Sequence, residues 1–128
     1  MPTKSLRLID GSGLSRSNRL TPYALAEVLA KAEGDDRMGV LHMLLPTAGV
    51  DGTLRKRYAS GPATCVQGLL QAKTGSLHDV IALAGYAPAD DGTSRPFAML
   101  VNDVRNSVVA RNKTRAQLDV LAAAISGC

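Results

Sequence analysis

The sequence contains no tryptophan, one phenylalanine and three tyrosines. With aromatics at 3% of 128 residues, the composition argues against an aromatic stacking platform for single-stranded nucleic acid. Hydrophobic residues make up 45% of the chain, so a core of Leu, Val, Ile and Ala is possible in one modest domain. The two cysteines, Cys65 and Cys128, form no Cys-x-x-Cys and have no His at metal-ligand spacing, which argues against a zinc site. Their spacing alone leaves a disulfide and two free thiols equally open. No apolar run reaches the length of a membrane-spanning helix. The N-terminus, Met1-Pro2-Thr3-Lys4-Ser5, is not followed by the apolar core of a signal peptide, which taken alone points to the cytoplasm.

A second set of absences concerns catalysis. No Ser is followed three residues on by Lys, none is followed two residues on by Asn, and no Gly-x-Ser-x-Gly elbow occurs. His42 and His78 have no motif partner and read as structural or surface residues. The net charge is +4, with one dense cluster, Arg55-Lys56-Arg57, which reads as a solvated turn. A nucleic-acid partner would rest on net charge alone and is not expected.

Along the chain, residues 6–9 alternate like a short strand and lead into a turn-rich loop, residues 10–18. Thr21 as N-cap and Pro22 in the first turn open a helix over residues 22–33. Its apolar stripe is Leu25, Val28, Leu29 and Ala32, and Gly34 stops it. Residues 38–45 could form a short helix ended by Pro46. Glycine-punctuated turns follow, with a short helix or coil near residues 55–59 and a break at Ser60-Gly61-Pro62. Three strands are expected at about 69–76, 78–87 and 95–102, the last two joined by the hairpin turn Ala89-Asp90-Asp91-Gly92-Thr93. A final helix is expected at about 112–125, opened by Asn112. The fold class is therefore α+β: an antiparallel three-stranded meander with two long helices. Such a sheet would leave one edge and much of one face uncovered.

Against this background one stretch carries chemistry: Ala72-Lys73-Thr74-Gly75-Ser76, on the first expected strand. A cation, a hydroxyl, a bare backbone position and a second hydroxyl can together hold a carboxylate. Lys-Thr-Gly is among the signatures of serine β-lactamases and penicillin-binding proteins. As a bare tripeptide it also reads as a strand-end lysine followed by turn residues. Its position before a hairpin and a closing helix raises its weight.

Three co-linear stretches carry a resemblance. They are Asp10-Gly11-Ser12-Gly13-Leu14-Ser15 with Asn18 and Thr21-Pro22; Met43-Leu44-Leu45-Pro46-Thr47-Ala48-Gly49-Val50-Asp51-Gly52-Thr53-Leu54; and Ala72-Lys73-Thr74-Gly75-Ser76-Leu77 with Leu83-Ala84-Gly85-Tyr86. Together the sequence resembles the low-molecular-mass class C penicillin-binding proteins, the D-alanyl-D-alanine carboxypeptidase/endopeptidase family. The resemblance runs from about Leu8 to the final helix. It implies the C-terminal portion of a β-lactamase/transpeptidase-like domain, so residues 1–128 are expected to be a single, partial domain. The family's Ser-x-x-Lys and Ser-x-Asn elements lie upstream of the matching stretches and are absent here.

The resemblance implies a serine-type D-Ala-D-Ala carboxypeptidase acting on peptidoglycan stem peptides through an acyl-enzyme. Lys73 would set a positive charge beside the serine and attract the substrate carboxylate. Thr74 and Ser76 would donate hydrogen bonds to that carboxylate. Gly75 would let the substrate backbone approach, and the Ser76 N–H would be one oxyanion donor. Expected partners are stem peptides, β-lactams and the missing N-terminal part. The resemblance implies no metal or organic cofactor, no nucleic acid and no transmembrane segment. It places the protein in the periplasm or elsewhere outside the cytoplasm, at the cell envelope. Alone, the chain is expected to be inactive. The glycines of residues 10–18 and 48–54 read as tight turns supporting the site. The rival function is a stand-alone, non-catalytic module that binds cell-wall peptide or a protein partner.

Overall fold

The computed structural model describes residues 6–128, and the N-terminal stretch Met1 to Ser5 lies outside the described residues. Helix α1 is Pro22–Glu33, α2 Val40–Leu44 and α3 Val108–Ile125, and the strands are β1 Gln71–Ser76, β2 Ile81–Pro88 and β3 Ser94–Val101. The strands form one antiparallel sheet in the order β1-β2-β3. This is the expected α+β meander.

The α1 bounds match the expectation because the local chemistry is unambiguous. The Thr21 side chain accepts from the Ala24 N–H, and Pro22 occupies the first turn, where its missing donor costs nothing. The C-terminal helix differs. It starts at Val108, where the Ser107 hydroxyl accepts from the Ala110 N–H, so Asn112 lies inside it. Val108 and Val109 are strongly exposed, so the first turn lacks the core-facing pattern that reveals a helix. The first two strands also start later than expected. Residues 69–70 belong to a turn bonded back to Val66, and residues 77–80 form the β1–β2 turn, closed by the Leu77 N–H donating to the Val80 carbonyl (3.0 Å). Residues 6–9 are no strand but a single bridge between Arg7 and Arg19, and Leu8 and Ile9 stay exposed.

Alternation along β2 directs two different cores. Ile81 and Leu83 point to the face where Leu118, Ala122 and Ala123 of α3 pack with Leu54, Val66 and Leu70. Tyr86 points the other way, into a smaller cluster with Leu29 of α1 and Leu45, and its hydroxyl donates to the Leu29 carbonyl (2.8 Å). His42 stacks on the Tyr86 ring at 4.1 Å, a structural role. Each face therefore receives a helix, which corrects the expectation of a largely bare face. The edges are β1 and β3.

Two constraints hold β1 in place. Gly85 in β2 lies so close that an added Cβ would fall 2.0 Å from the Gln71 carbonyl oxygen and 2.5 Å from the Ala72 Cα. Cys65 and Cys128 form a disulfide, tying the 3₁₀ turn Pro62–Val66 to the end of α3.

Gly85→Ala is expected to lower stability by roughly 1–3 kcal/mol or more in denaturant titration, the range for overpacking, because the clash is with backbone. Gly11→Ala, with nothing within 4 Å of its added Cβ, should be near neutral. Equal effects of the two would contradict the close approach. Reduction, or Cys65→Ser, opens a loop whose ends are 63 residues apart and is expected to cost about 2–4 kcal/mol in calorimetry.

Candidate functional site

β1 has two halves with different surroundings. Its first half is paired on both sides. The Ala72 N–H donates to the Pro46 carbonyl (2.9 Å), and the Leu70 carbonyl accepts from the Ala48 N–H (2.8 Å). Beyond Ala72 the outer side has no pairing strand among the described residues. Backbone groups of a strand alternate in direction with a period of two. With the Ala72 N–H turned outwards, the N–H groups of Thr74 and Ser76 are turned to the same open side.

Side chains alternate as well. Thr74 and Ser76 lie on the α3 side, opposite Leu83 and Ile81. Lys73 and Gly75 lie on the α1 side, opposite Ala84 and Ala82. Lys73 is exposed, and its ammonium donates back to the Thr74 carbonyl (2.8 Å), which sets its charge at the open edge. A Cβ on Gly75 would meet Ala82 Cβ at 3.1 Å, a tight contact. Thr74, Gly75 and Ser76 line a cleft of about 970 Å³, and Lys73 does not.

The second glycine-rich stretch supports this strand. Gly49 and Gly52 take φ of +71° and +49°, and side chains there would strike Gln67 and Pro46. The Asp51 carboxylate accepts from the Thr47 N–H (2.7 Å), closing the turn. Thr53 then meets the site directly, accepting a hydrogen bond from the Thr74 hydroxyl (3.0 Å). The first stretch is more distant. Asp10 accepts from the Gly13 and Ser15 N–H groups and from Ser12 and Asn18 side chains. Those bonds, Asn18 first, hold its pKa below the ordinary carboxylate value. The loop reaches the site through Arg16, which pairs bidentately with Asp79 in the β1–β2 turn (2.8 and 3.0 Å). That pair lowers the Asp79 pKa. Arg111 braces the same turn, donating to the Leu77 and His78 carbonyls (both 2.7 Å). His78 is exposed and meets Asn106.

The far wall of the cleft comes from α3 and residues 56–58. Arg57 and Asp119 form a largely buried ion pair at 2.6 Å, so Arg57 is no part of a solvated turn, which corrects that reading of the basic cluster. Arg57 also donates to the Arg115 carbonyl (3.3 Å). Tyr58 is buried in the left-handed region at φ 62°, a conformation costing about 1–2 kcal/mol. Burial, and then the neighbouring Asp119 carboxylate, push its pKa up. Arg115 reaches Ser76, its guanidinium 3.3 Å from the hydroxyl, and donates to Asn112 Oδ1 (3.1 Å). The sequence marks Thr53 only within the second stretch and Arg57 only within the basic cluster, and it singles out none of Tyr58, Asp119 and Arg115. The i, i+3 spacing of Asn112 and Arg115 was visible, but nothing in it says which strand the pair faces. Among the described residues no cluster of His, Cys, Asp and Glu could hold a metal ion, and no helix is long and apolar enough to cross a membrane.

Carboxypeptidase DacB of Mycolicibacterium smegmatis is 39% identical over 129 residues, covering 98% of this chain and 27% of that protein. The crystal structure of penicillin binding protein 4 (dacB) from Haemophilus influenzae superposes with a TM-score of 0.76 at 31% identity, over 95% of this chain and 27% of the other. A second structure of that protein, in complex with a β-lactam, also gives a TM-score of 0.76, at 32% identity and over 96% and 29% of the two chains. The chain thus spans about a quarter of the length of these relatives. Residues 1–125 match the D-Ala-D-Ala carboxypeptidase 3 (S13) family, and the chain belongs to that family.

Proposed function

We propose that the chain forms one wall of the active site of a serine-type D-Ala-D-Ala carboxypeptidase, the wall that binds the substrate and not the one that carries the nucleophile. The observation behind this reading is the open half of β1, whose Thr74 and Ser76 N–H groups turn to the unpaired side of a strand that lines a cleft, while the first half is paired on both sides. A peptide lying along that edge would find main-chain donors already oriented.

In this reading the serine of an upstream part attacks the carbonyl of the penultimate D-alanine, D-alanine leaves, and water hydrolyses the acyl-enzyme. The Ser76 N–H donates to the oxyanion as the carbonyl becomes tetrahedral. The Lys73 ammonium, held at the strand edge by the Thr74 carbonyl, would lie beside the serine and draw the carboxylate in. The Thr74 and Ser76 hydroxyls bind that carboxylate. Gly75 adds no side chain to the strand that the substrate lies along. No metal or cofactor takes part. Peptidoglycan stem peptides are the substrate class, and β-lactams acylate the same serine. The β-lactam complex of the structural relative supports that ligand class. The Cys65–Cys128 disulfide supports a location outside the cytoplasm, where such bonds persist.

A fluorescent penicillin tests the reading. The 128-residue chain alone should remain unlabelled. Joined to the upstream part it should be labelled, and Lys73→Ala should abolish labelling. Labelling that survives Lys73→Ala would remove the role given to Lys73, and a joined protein that is never labelled would favour a non-catalytic binding module. Ser76→Pro deletes the N–H at an edge position where proline is tolerated, and should slow acylation about 100- to 1000-fold. Ser76→Ala keeps the N–H and should lose much less.

A further inference from the structure

A second cavity, of about 630 Å³, shares no lining residue with the cleft. The cleft takes in Ile81 and Ala82 at the start of β2, whereas this cavity takes in Tyr86 and Pro88 at its end. Its other walls include Glu33, the last residue of α1, His42 of α2, and Thr93 and Ser94, where the hairpin enters β3.

The polar groups of this cavity are set to accept. The Thr93 hydroxyl donates to the Asp91 carboxylate (2.6 Å), and its bonds to Asp91 keep that carboxyl below its ordinary pKa, so it is ionised at neutral pH and the direction is fixed. The Ser94 hydroxyl donates to the Glu33 carboxylate. With its single proton spent, each hydroxyl has only lone pairs left to offer. The Gly92 and Thr93 N–H groups are spent as well, on the Ala89 carbonyl (3.1 Å) and the Asp91 carboxylate (3.0 Å). A neutral His42 ring adds one more acceptor nitrogen.

The charge is negative. Glu33 has no cation within ion-pair distance among the described residues, and Ser94 engages only one of its two oxygens. Asp35 and Asp36 follow α1, and Asp90 and Asp91 precede Gly92. The cations of these segments are engaged: Arg37 pairs with Asp35, and Arg95 donates to the Ile125 carbonyl (2.6 Å). The remaining lining is apolar. Leu69 is 61% exposed, Pro88 lies beside it in the lining, and the His42 ring is stacked on Tyr86.

Acceptors and negative charge over an apolar lining suit a group that donates without accepting. A primary ammonium has three donors and no acceptor, on a stem that can cover apolar surface. We propose that this cavity binds a primary alkylammonium group, its charge met by Glu33, its N–H groups by the Thr93 and Ser94 hydroxyl oxygens, and its stem by Leu69 and Pro88. The site is separate from the carboxypeptidase cleft and does not rest on that reading.

Calorimetry on the protein that joins this chain to the upstream part tests it. Nα-acetyl-lysine methylamide should bind with a dissociation constant on the order of 1 mM, and the same amide with norleucine in place of lysine should bind at least about 10-fold more weakly. Glu33→Gln should weaken the lysine derivative about 10- to 100-fold, as expected for a lost charge-assisted hydrogen bond. Leu69→Lys, a change at an exposed position, sets a competing ammonium in the cavity and should weaken it too. Cadaverine separates the sources: it should bind more tightly than the lysine derivative if the ligand is a free diamine, and less tightly if it is a peptide side chain. No binding of either ammonium would overturn the proposal. So would equal affinity for the lysine and norleucine derivatives, an outcome that needs no variant to fold, or an affinity unchanged by Glu33→Gln.

Discussion

The outer backbone of β1 changes partners in mid-strand, and the candidate site depends on that change. Buried or half-buried N–H and C=O groups need partners. Residues 46–48 supply them as far as Ala72 and then turn away. From Lys73 onward the outer side of the strand has no pairing partner among the described residues, the kind of edge that invites another strand. Proteins normally blunt such an edge. Here it is instead bordered by the polar side chains of Thr53, Lys73 and Arg115.

The supporting structure serves to keep that edge straight and fixed. Gly85 lets β2 approach β1 more closely than any side chain would allow. Gly49 and Gly52 fold the preceding turn tightly enough to bring Thr53 onto Thr74. Arg16 and Arg111 both hold the turn that follows Ser76. The Arg57–Asp119 pair and the disulfide set α3 against the same strand. Removing one partner from a buried ion pair leaves an uncompensated charge, so Arg57 and Asp119 constrain each other strongly.

Features with a local cause were legible in the sequence. Thr21-Pro22 fixed the start of α1, and the hairpin turn with its flanking apolar runs located β2 and β3 to within a few residues. The Lys-Thr-Gly stretch fell on the first strand, as expected, and the sheet order makes that strand an edge. What was not legible depends on distance in space. Spacing could not pair Cys65 with Cys128, because 63 residues of chain say nothing of where the ends meet. The start of α3 was hidden by Val108 and Val109, apolar residues that face outward. Arg57 looked like one cation in a basic run, and only the fold brings Asp119, 62 residues later, against it. Arg115 was missed for the same reason: a helix surface does not name the strand it faces.

Hydrogen exchange of the β1 amides tests the central claim most directly, measured in a protein that joins this chain to the upstream part of the proposed enzyme, before and after treatment with a β-lactam. The Ala72 amide should be protected throughout. The Thr74 and Ser76 amides should exchange fast in the free enzyme, and the Ser76 amide should become protected on acylation as it takes up the acyl carbonyl oxygen. A Ser76 amide already protected before acylation, and unchanged by it, would contradict the open edge and the donor role assigned to it.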